Sequence, residues 1–575
     1  MCGLYGVAQQ QNLALCQIKR LKEAGESLIH RGPDSSGYWK KNGVFLGHHR
    51  LSIIDTSRVA DQPMLQDRVV ITVNGEIYNF KRLRRELEQQ GAVFKSHSDS
   101  EVILHGYRLW GVKRLLGSLE GMYSVVIYDQ DKGKIFLIRD RVGIKPLYYH
   151  LNKGALSWAS ELKALVAYIE EPALSVDTTA LLDFLVYRYI PAPKSLYKGV
   201  FKLPAAHYAE FDIKTSKLSI RKYWQLPLLK NIDTDEAIAE QLVDLLSESV
   251  QEQSVSDIPL GVLLSGGIDS SALVALSDPD KKILSFSASF KDSSKDESLF
   301  ASMVAKHVGI QHNTIIFPEG DMSHLSEKMA AWFGEPFGDT SAVPTYLVSR
   351  FAKEKVGVVL GGDGGDELFG GYVWYRKYRL LRNIQRFIPF LKLFNLRIFS
   401  RIPKTGFFEL LLISDPVELY ARLRKSLSKK QLDKWKERLG LSKEYDPYWA
   451  YRNHYKSNLS PAMAARVMDF HTYLPDDILV KVDRISMSVS LECRPPFLST
   501  KLIEYAFSLP ESFIYKGGQL KGGLKYSLKG VLPEEIITRK KQGFSVPDFG
   551  WRKDISERYG SMQEFLIKRF VERDL

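Results

Sequence analysis

Cys2 stands directly behind the methionine in Met1-Cys2-Gly3-Leu4-Tyr5-Gly6, so removal of one residue would turn an ordinary thiol into an N-terminal one. A freed α-amine titrates in the range of about 7.7–8.0 and can take the thiol's proton, directly or through a water. Nucleophile and base then share one residue. Other groups offer what such a thiol needs to cleave a carboxamide. In Asn74-Gly75-Glu76, which ends a strand, the Asn amide and the glycine N–H form a donor pair suited to an oxyanion. Arg50, in Arg50-Leu51-Ser52-Ile53-Ile54-Asp55, is expected to begin a strand and can grip a carboxylate through two N–H bonds. Asp99, in Ser98-Asp99-Ser100-Glu101, can pair with an ammonium, although Asp and Ser also cap helices. Taken singly, each has a plainer reading as a turn, a surface ion pair or a cap.

A second constellation lies far downstream. The apolar run Gly261-Val262-Leu263-Leu264 reads as a buried strand, and Ser265-Gly266-Gly267-Ile268-Asp269-Ser270-Ser271 opens the next helix. Small residues there expose successive N–H groups, which with a helix N-terminus make an anion cradle. The Gly-Lys-Ser/Thr ending of the kinase-type phosphate loop is absent. Further on, Gly361-Gly362-Asp363-Gly364-Gly365-Asp366-Glu367 crowds carboxylates among glycines. Carboxylates beside a triphosphate repel it unless a cation intervenes, so this loop is expected to carry Mg²⁺.

Two kinds of scaffold must position these groups. Up to about residue 160, strand-like runs at Val44–Leu46, Val69–Val73, Tyr123–Tyr128 and Lys134–Ile138 flank helical stretches at Phe80–Gln90 and Glu101–Gly117, an α+β pattern. The later half alternates helices with buried strands, among them Ile283–Phe290 and Val356–Leu360, an α/β pattern with a parallel sheet. A chain of 575 residues exceeds what one core serves, so two or more domains are expected. Three cysteines, Cys2, Cys16 and Cys493, are too few and scattered for a disulfide framework or a zinc site. No secretory leader or run of about 18 apolar residues is seen, so a soluble, cytoplasmic protein is expected. The net charge of +13 gathers partly between Tyr375 and Lys404, a basic and apolar run read as two helices broken at Pro389 rather than as a membrane or nucleic-acid surface.

Taken together, Cys2, RGPDSSG, RLSIID, NGEIYN, SDSE and RDRVGIKPLYY resemble the N-terminal-nucleophile domain of the class II glutamine amidotransferases. SGGIDSS resembles the pyrophosphate loop of N-type ATP pyrophosphatases. With GDGGDELFGGY, LPDDILVKVDR, ECRPPFL and KKQGF, the whole chain resembles the glutamine-hydrolysing asparagine synthetases. That resemblance implies an αββα glutaminase domain over 2–205, a linker over 206–235, and an ATP pyrophosphatase-like synthetase domain over 236–575. It implies Cys2 as nucleophile, Asn74 and Gly75 as oxyanion donors, and Arg50, Leu51, Ser52, Ile53, Ile54, Glu76 and Asp99 around glutamine. It implies ATP at Leu264, Ser265, Gly266, Gly267, Asp269, Ser270, Ala288, Gly361 and Gly362, Mg²⁺ on Asp269 and Asp366, and catalysis by Asp363 and by Lys525, with Lys521 as the fallback. The implied reaction amidates aspartate through an adenylate; amidation of another carboxylate, such as a sugar acid, is the alternative. A homodimer is left open. The family's glutamate is Asp363 here, and Thr56–Asp61 lacks the family's Gly-containing turn.

Overall fold

The computed structural model describes residues 1–169, 174–228, 233–290, 297–317, 328–329, 331–393 and 406–539. The end of the Tyr375–Lys404 run, from 394 on, and Lys540–Phe544 lie outside them.

The first half builds two stacked sheets from strands β1 (Gly3–Ala8), β2 (Ser35–Lys41), β3 (Val44–Arg50), β4 (Met64–Gln66), β5 (Val69–Ile77), β6 (Gly121–Asp129), β7 (Lys134–Arg139), β8 (Tyr148–Asn152), β9 (Ala155–Ala159), β10 (Val200–Lys202), β11 (His207–Asp212) and β12 (Lys217–Lys222). Their orders are β10-β8-β9-β1-β3-β2 and β12-β11-β7-β6-β5-β4. All the pairings are antiparallel. Leu4, Leu46, Val70, Val126, Leu137 and Trp158 fill the space between the sheets. Helices α1 (Leu15–Glu26) and α4 (Leu162–Tyr168) cover the first sheet through Leu21, Leu162 and Leu165, and α2 (Phe80–Gln89) and α3 (Glu101–Ser118) cover the second through Leu83, Leu87 and Ile103. This is an αββα sandwich. Because β5 and β6 bury both faces, their sequences run almost continuously apolar instead of alternating.

The stretch expected to be a linker from 206 corrects that boundary. Its first part is β11 and β12, which extend the second sheet by pairing with β7 and with each other. The Asp-Ile-Lys-Thr-Ser-Lys turn between them reads as loop, and the short strands on either side carry too few apolar residues to stand out.

The second half is α/β. Strands β13 (Leu260–Leu263), β14 (Leu284–Phe290), β15 (Gln311–Phe317), β16 (Val358–Leu360) and β17 (Glu492–Arg494) form one sheet in the order β15-β14-β13-β16-β17. All its pairs are parallel. Helix α5 (Ile268–Ala275) follows β13, and α7 (Leu479–Met487) precedes β17. The described part of the basic run forms a single helix, α6 (Val373–Leu393), which continues through Pro389. A proline removes one backbone bond, and here it does so within the last turns, where the helix is about to end.

Candidate active site

Cys2 directly precedes β1, a central strand of the first sheet, and the stacking of the two sheets brings it against β5 of the second. Its N–H donates to Asn74 Oδ1 at 2.9 Å, and Asn74 Nδ2 donates to Ser124 Oγ at 3.4 Å. Gly75 sits beside Asn74 with φ +149°, where an added Cβ would come within 1.9 Å of the Met122 carbonyl oxygen. Only glycine lets the two strands close here. Met1, Cys2, Arg50, Leu51, Ile53, Ile54, Gly75, Glu76 and Asp99 line one small pocket. Ser52 stands outside that lining, its N–H given to Asp34 Oδ2 at 2.7 Å.

Arg50 ends β3 rather than beginning a strand, because the chain turns away there to wrap its guanidinium. The fork donates to Ser57 O at 2.9 Å, to Asp61 Oδ1 at 3.0 Å and to Asp55 O. The unusual Thr56–Asp61 segment is thus what holds Arg50 in place. Asp99 does not cap α3; its Oδ2 accepts the Ile77 N–H at 2.7 Å. Burial lifts its carboxyl to about 6. Burial also pushes the Cys2 thiol up, against the opposing pull of the terminal amine, the Leu51 N–H and Arg50. Glu76 is pushed well above the carboxylate range by burial and by Glu492 and Asp99.

The second site lies at the carboxyl edge of the parallel sheet, where ligands of open α/β sheets bind. The loops after the adjacent strands β13 and β16 meet there. Gly266 has φ +68°, and a Cβ on it would lie 2.6 Å from Phe300 Cβ. Ser265 and Ser270 tie the loop together, the Ser265 N–H donating to Ser270 Oγ at 3.1 Å. A Cβ on Gly362 would meet Asp269 Cβ at 3.0 Å, so the acidic loop presses directly on the start of α5. Leu264 hands its N–H to Phe286 O at 2.8 Å, and Ala288 follows two residues on along β14. Asp363 is raised by burial, with Lys481 opposing.

Lys521 joins the two carboxylates expected to hold a metal. Its Nζ pairs with Asp269 Oδ2 and with Asp366 Oδ1, and its side chain is 4% exposed. Against burial, those carboxylates hold its ammonium above the ordinary lysine value. Lys525 does not touch them. Its Nζ donates to Arg539 O at 3.1 Å, and Arg539 in turn donates to Gly266 O at 2.9 Å, so Lys525 sits on the phosphate-loop side. Among the described residues no group of three or more His, Cys, Asp or Glu could hold a metal alone. Asp269 and Asp366, which already close around one cation, are the residues that would hold Mg²⁺, and the ion would supply positive charge to offset that of a bound triphosphate.

Several residues lie in motifs quoted above that assigned them no role of their own. Asp140 accepts the N–H groups of Val142, Gly143, Ile144 and Lys145 and so shapes the turn of the RDRVGIKP run. Glu492 and Arg494, on β17, reach into the first domain: Arg494 NH2 lies 3.4 Å from Glu76 Oε2, and its Nε donates to Glu492 Oε1 at 2.6 Å. The ECR run could have flagged them only through knowledge of which strand faces the other domain.

Known proteins share both halves. A family profile described as glutamine amidotransferase domain matches residues 1–224, and one described as asparagine synthase matches residues 241–564. Asparagine synthetase [glutamine-hydrolyzing] 1 of Bacillus subtilis is 32% identical over 595 residues, covering 100% of this chain and 92% of its own. A putative asparagine synthetase [glutamine-hydrolyzing] of Mycobacterium tuberculosis is 31% identical, covering 92% of this chain and 84% of its own. A putative asparagine synthetase [glutamine-hydrolyzing] 2 of Methanocaldococcus jannaschii is 32% identical, covering 85% of this chain and 98% of its own. Fold and loops together therefore define a class II glutamine amidotransferase joined to an ATP-using synthetase, an enzyme of glutamine-dependent amidation. Within that class the chain belongs to the glutamine-hydrolysing asparagine synthetase family, whose members are carbon–nitrogen ligases. Among the described residues no helix is long and apolar enough to cross a membrane.

Proposed function

We propose that the enzyme converts aspartate to asparagine with ammonia from glutamine and with ATP, giving AMP, pyrophosphate and glutamate. After loss of Met1 the Cys2 amine takes the thiol proton and the thiolate attacks the glutamine carboxamide. Arg50 and Asp99 hold the α-carboxylate and α-ammonium, with Leu51, Ile53, Ile54 and Glu76 as walls. Asn74 and Gly75 receive the oxyanion, ammonia leaves, and water hydrolyses the γ-glutamyl thioester. At the other site the loop Ser265–Ser270, with Gly361 and Gly362, cradles the phosphates of ATP. A divalent cation between Asp269 and Asp366 would offset the repulsion between carboxylates and phosphates. Asp363 stands beside it, and Lys525 is assigned to charge that develops at the α-phosphate as the β-aspartyl adenylate forms. Lys521 keeps the two carboxylates neutralised.

One observation carries the two-site reading. Leu51, Ile53, Met122, Val142 and Ile144 of the first domain and Leu264, Ile268, Leu360 and Leu498 of the second belong to a single buried apolar cluster. Apolar surroundings disfavour ammonium and keep ammonia a nucleophile between the sites. The test incubates the protein with Mg-ATP, glutamine and a panel of carboxylates while pyrophosphate is followed. Release that depends on aspartate, yields AMP, and in Cys2→Ala survives only with ammonia supports the proposal. Release with a sugar acid but not aspartate overturns the acceptor, and ADP as product overturns the adenylate.

A further inference from the structure

Arg31 is fully buried, yet it lies in what reads as a surface turn. Its Nε donates to the carbonyl oxygen of Cys2 at 3.0 Å. Both terminal nitrogens of the fork also reach outside the first domain: NH1 donates to Asp483 Oδ2 at 2.8 Å and NH2 to Asp483 Oδ1 at 3.0 Å. Asp483 belongs to α7 of the synthetase domain. Glu161, on the first domain, completes the cluster, accepting from Arg31 NH1 at 2.8 Å and pairing with Arg484 of α7 at 2.9 Å. The side chains of Arg31, Asp483, Glu161 and Arg484 are all 3% exposed or less.

The same helix also faces the other site. Two residues before Asp483, Lys481 donates to Ser341 Oγ at 2.9 Å and pairs with Asp339 at 3.2 Å, and its charge acts on Asp363 of the acidic loop. Two residues are about 200° of helical turn, so α7 presents Lys481 and Asp483 on nearly opposite faces. One side meets the acidic-loop neighbourhood and the other meets Arg31, the residue that donates to the nucleophile's own carbonyl.

Stability alone does not explain such a cluster. Taking charges out of water costs several kcal/mol per ion, and apolar chains of similar volume commonly serve a fold as well or better. A fork gripped on both arms by one carboxylate does fix a direction, which apolar packing does not. We infer that Asp483 is a positioning residue of the glutaminase reaction: from the synthetase domain it aims Arg31 at the Cys2 carbonyl, and so sets where the thiol stands. The Cys2 carbonyl carbon is bonded to the Cα that bears the thiol, so a displacement of the carbonyl group carries that Cα and its side chain with it. A misplacement of about 1 Å at a reacting group can cost on the order of 10²-fold.

This inference rests on Cys2 being the nucleophile. A Cys2→Ala enzyme that still hydrolyses glutamine therefore ends the proposed function, and does so independently of what Asp483 variants do. In the full-length enzyme Asp483→Asn keeps the size of the side chain and removes its charge. The expected result is a fall in kcat for glutamine hydrolysis on the order of 10²-fold. KM for glutamine stays within about threefold, because Arg50 and Asp99 are untouched, and ammonia-dependent pyrophosphate release stays within the same factor. Asp483→Glu, which restores the charge, recovers part of the loss. If the Asn variant does not fold, Arg31→Met combined with Asp483→Leu exchanges the pair for apolar chains, and is expected to fold with the same selective loss. Wild-type glutaminase turnover in either folded variant overturns the inference, and so does an equal fall of both activities. Failure of both variants to fold overturns it too, since the cluster would then serve the fold and not the thiol.

Discussion

A single buried carboxylate makes the glutamine site sensitive to pH. Burial lifts Asp99 to about 6, so above that pH it is ionised and able to pair with glutamine's α-ammonium. Below it the carboxyl takes up a proton and the pairing is lost. Protonation of the Cys2 amine already lowers kcat/KM for glutamine below about pH 8, so we expect the fall to steepen by a further tenfold per pH unit below 6, and Asp99→Asn to give a low value without the added steepening. Steady-state kinetics in both proteins between acid and neutral pH checks this. The two lysines should separate in the same way by kinetics. Lys525→Ala is expected to lower adenylation turnover by about 10²–10³-fold with little change in KM for ATP, as removal of a group that meets developing charge does. Lys521→Ala should instead change the Mg²⁺ concentration needed for half-maximal pyrophosphate release, because it leaves Asp269 and Asp366 without their resident cation. Residue types and order singled out Cys2, Asn74, Gly75, Arg50 and Asp99 in the sequence, and the fold gathers them at one place. Which lysine reaches the carboxylates was not legible. Lys521 caps the start of the short helix Gly522–Ser527 and Lys525 lies in its last turn, four residues on, and only the left-handed turn at Lys521, φ 54°, sends one of them to Asp269.

At the scale of elements, the pyrophosphate loop depends on a backbone shape that only glycine takes easily. Gly266→Ala would place a methyl group 2.6 Å from Phe300 Cβ at φ +68°. Left-handed backbone at a non-glycine costs about 1–3 kcal/mol before the clash is counted. ATP-dependent pyrophosphate release should collapse while glutamine hydrolysis persists, and parallel assays of the two activities on one preparation decide it. Loss of both would mean that the loop supports the whole domain. Strands β5, β6 and β7 and helices α2 and α3 lie close to where apolar periodicity put them. Strands β11 and β12 escaped because β12 carries Lys217, Arg221 and Lys222 at exposed positions, so that the pair reads as polar chain between domains. Pro389 misled in the opposite sense: a proline announces a helix break, but near a helix end it leaves little to break.

Across the whole molecule the two domains share one apolar core, and neither half covers its own face. A fragment ending at residue 224 would bare Leu51, Ile53, Met122, Val142 and Ile144, each large side chain forfeiting about 1.5–3 kcal/mol. Such a fragment should melt well below the full chain and bind a hydrophobic dye; a melt equal to that of the intact protein would show that the shared core contributes nothing. Sequence texture separates the two halves readily but is blind to this interface, because Arg31, Asp483, Glu492 and Arg494 meet across hundreds of residues. The strand order of the first sheet has a consequence in time. β1, which follows Cys2, is flanked by β3 and by β9, and its pairing with Ala155–Ala159 cannot form until some 150 residues more have been made. At about 5–20 residues per second of synthesis, that is an interval of roughly 8–30 seconds. Met1 and Cys2, both buried in the finished fold, are open to a processing enzyme on the nascent chain during that interval, and an enzyme that arrives after the strand has paired meets a closed sheet.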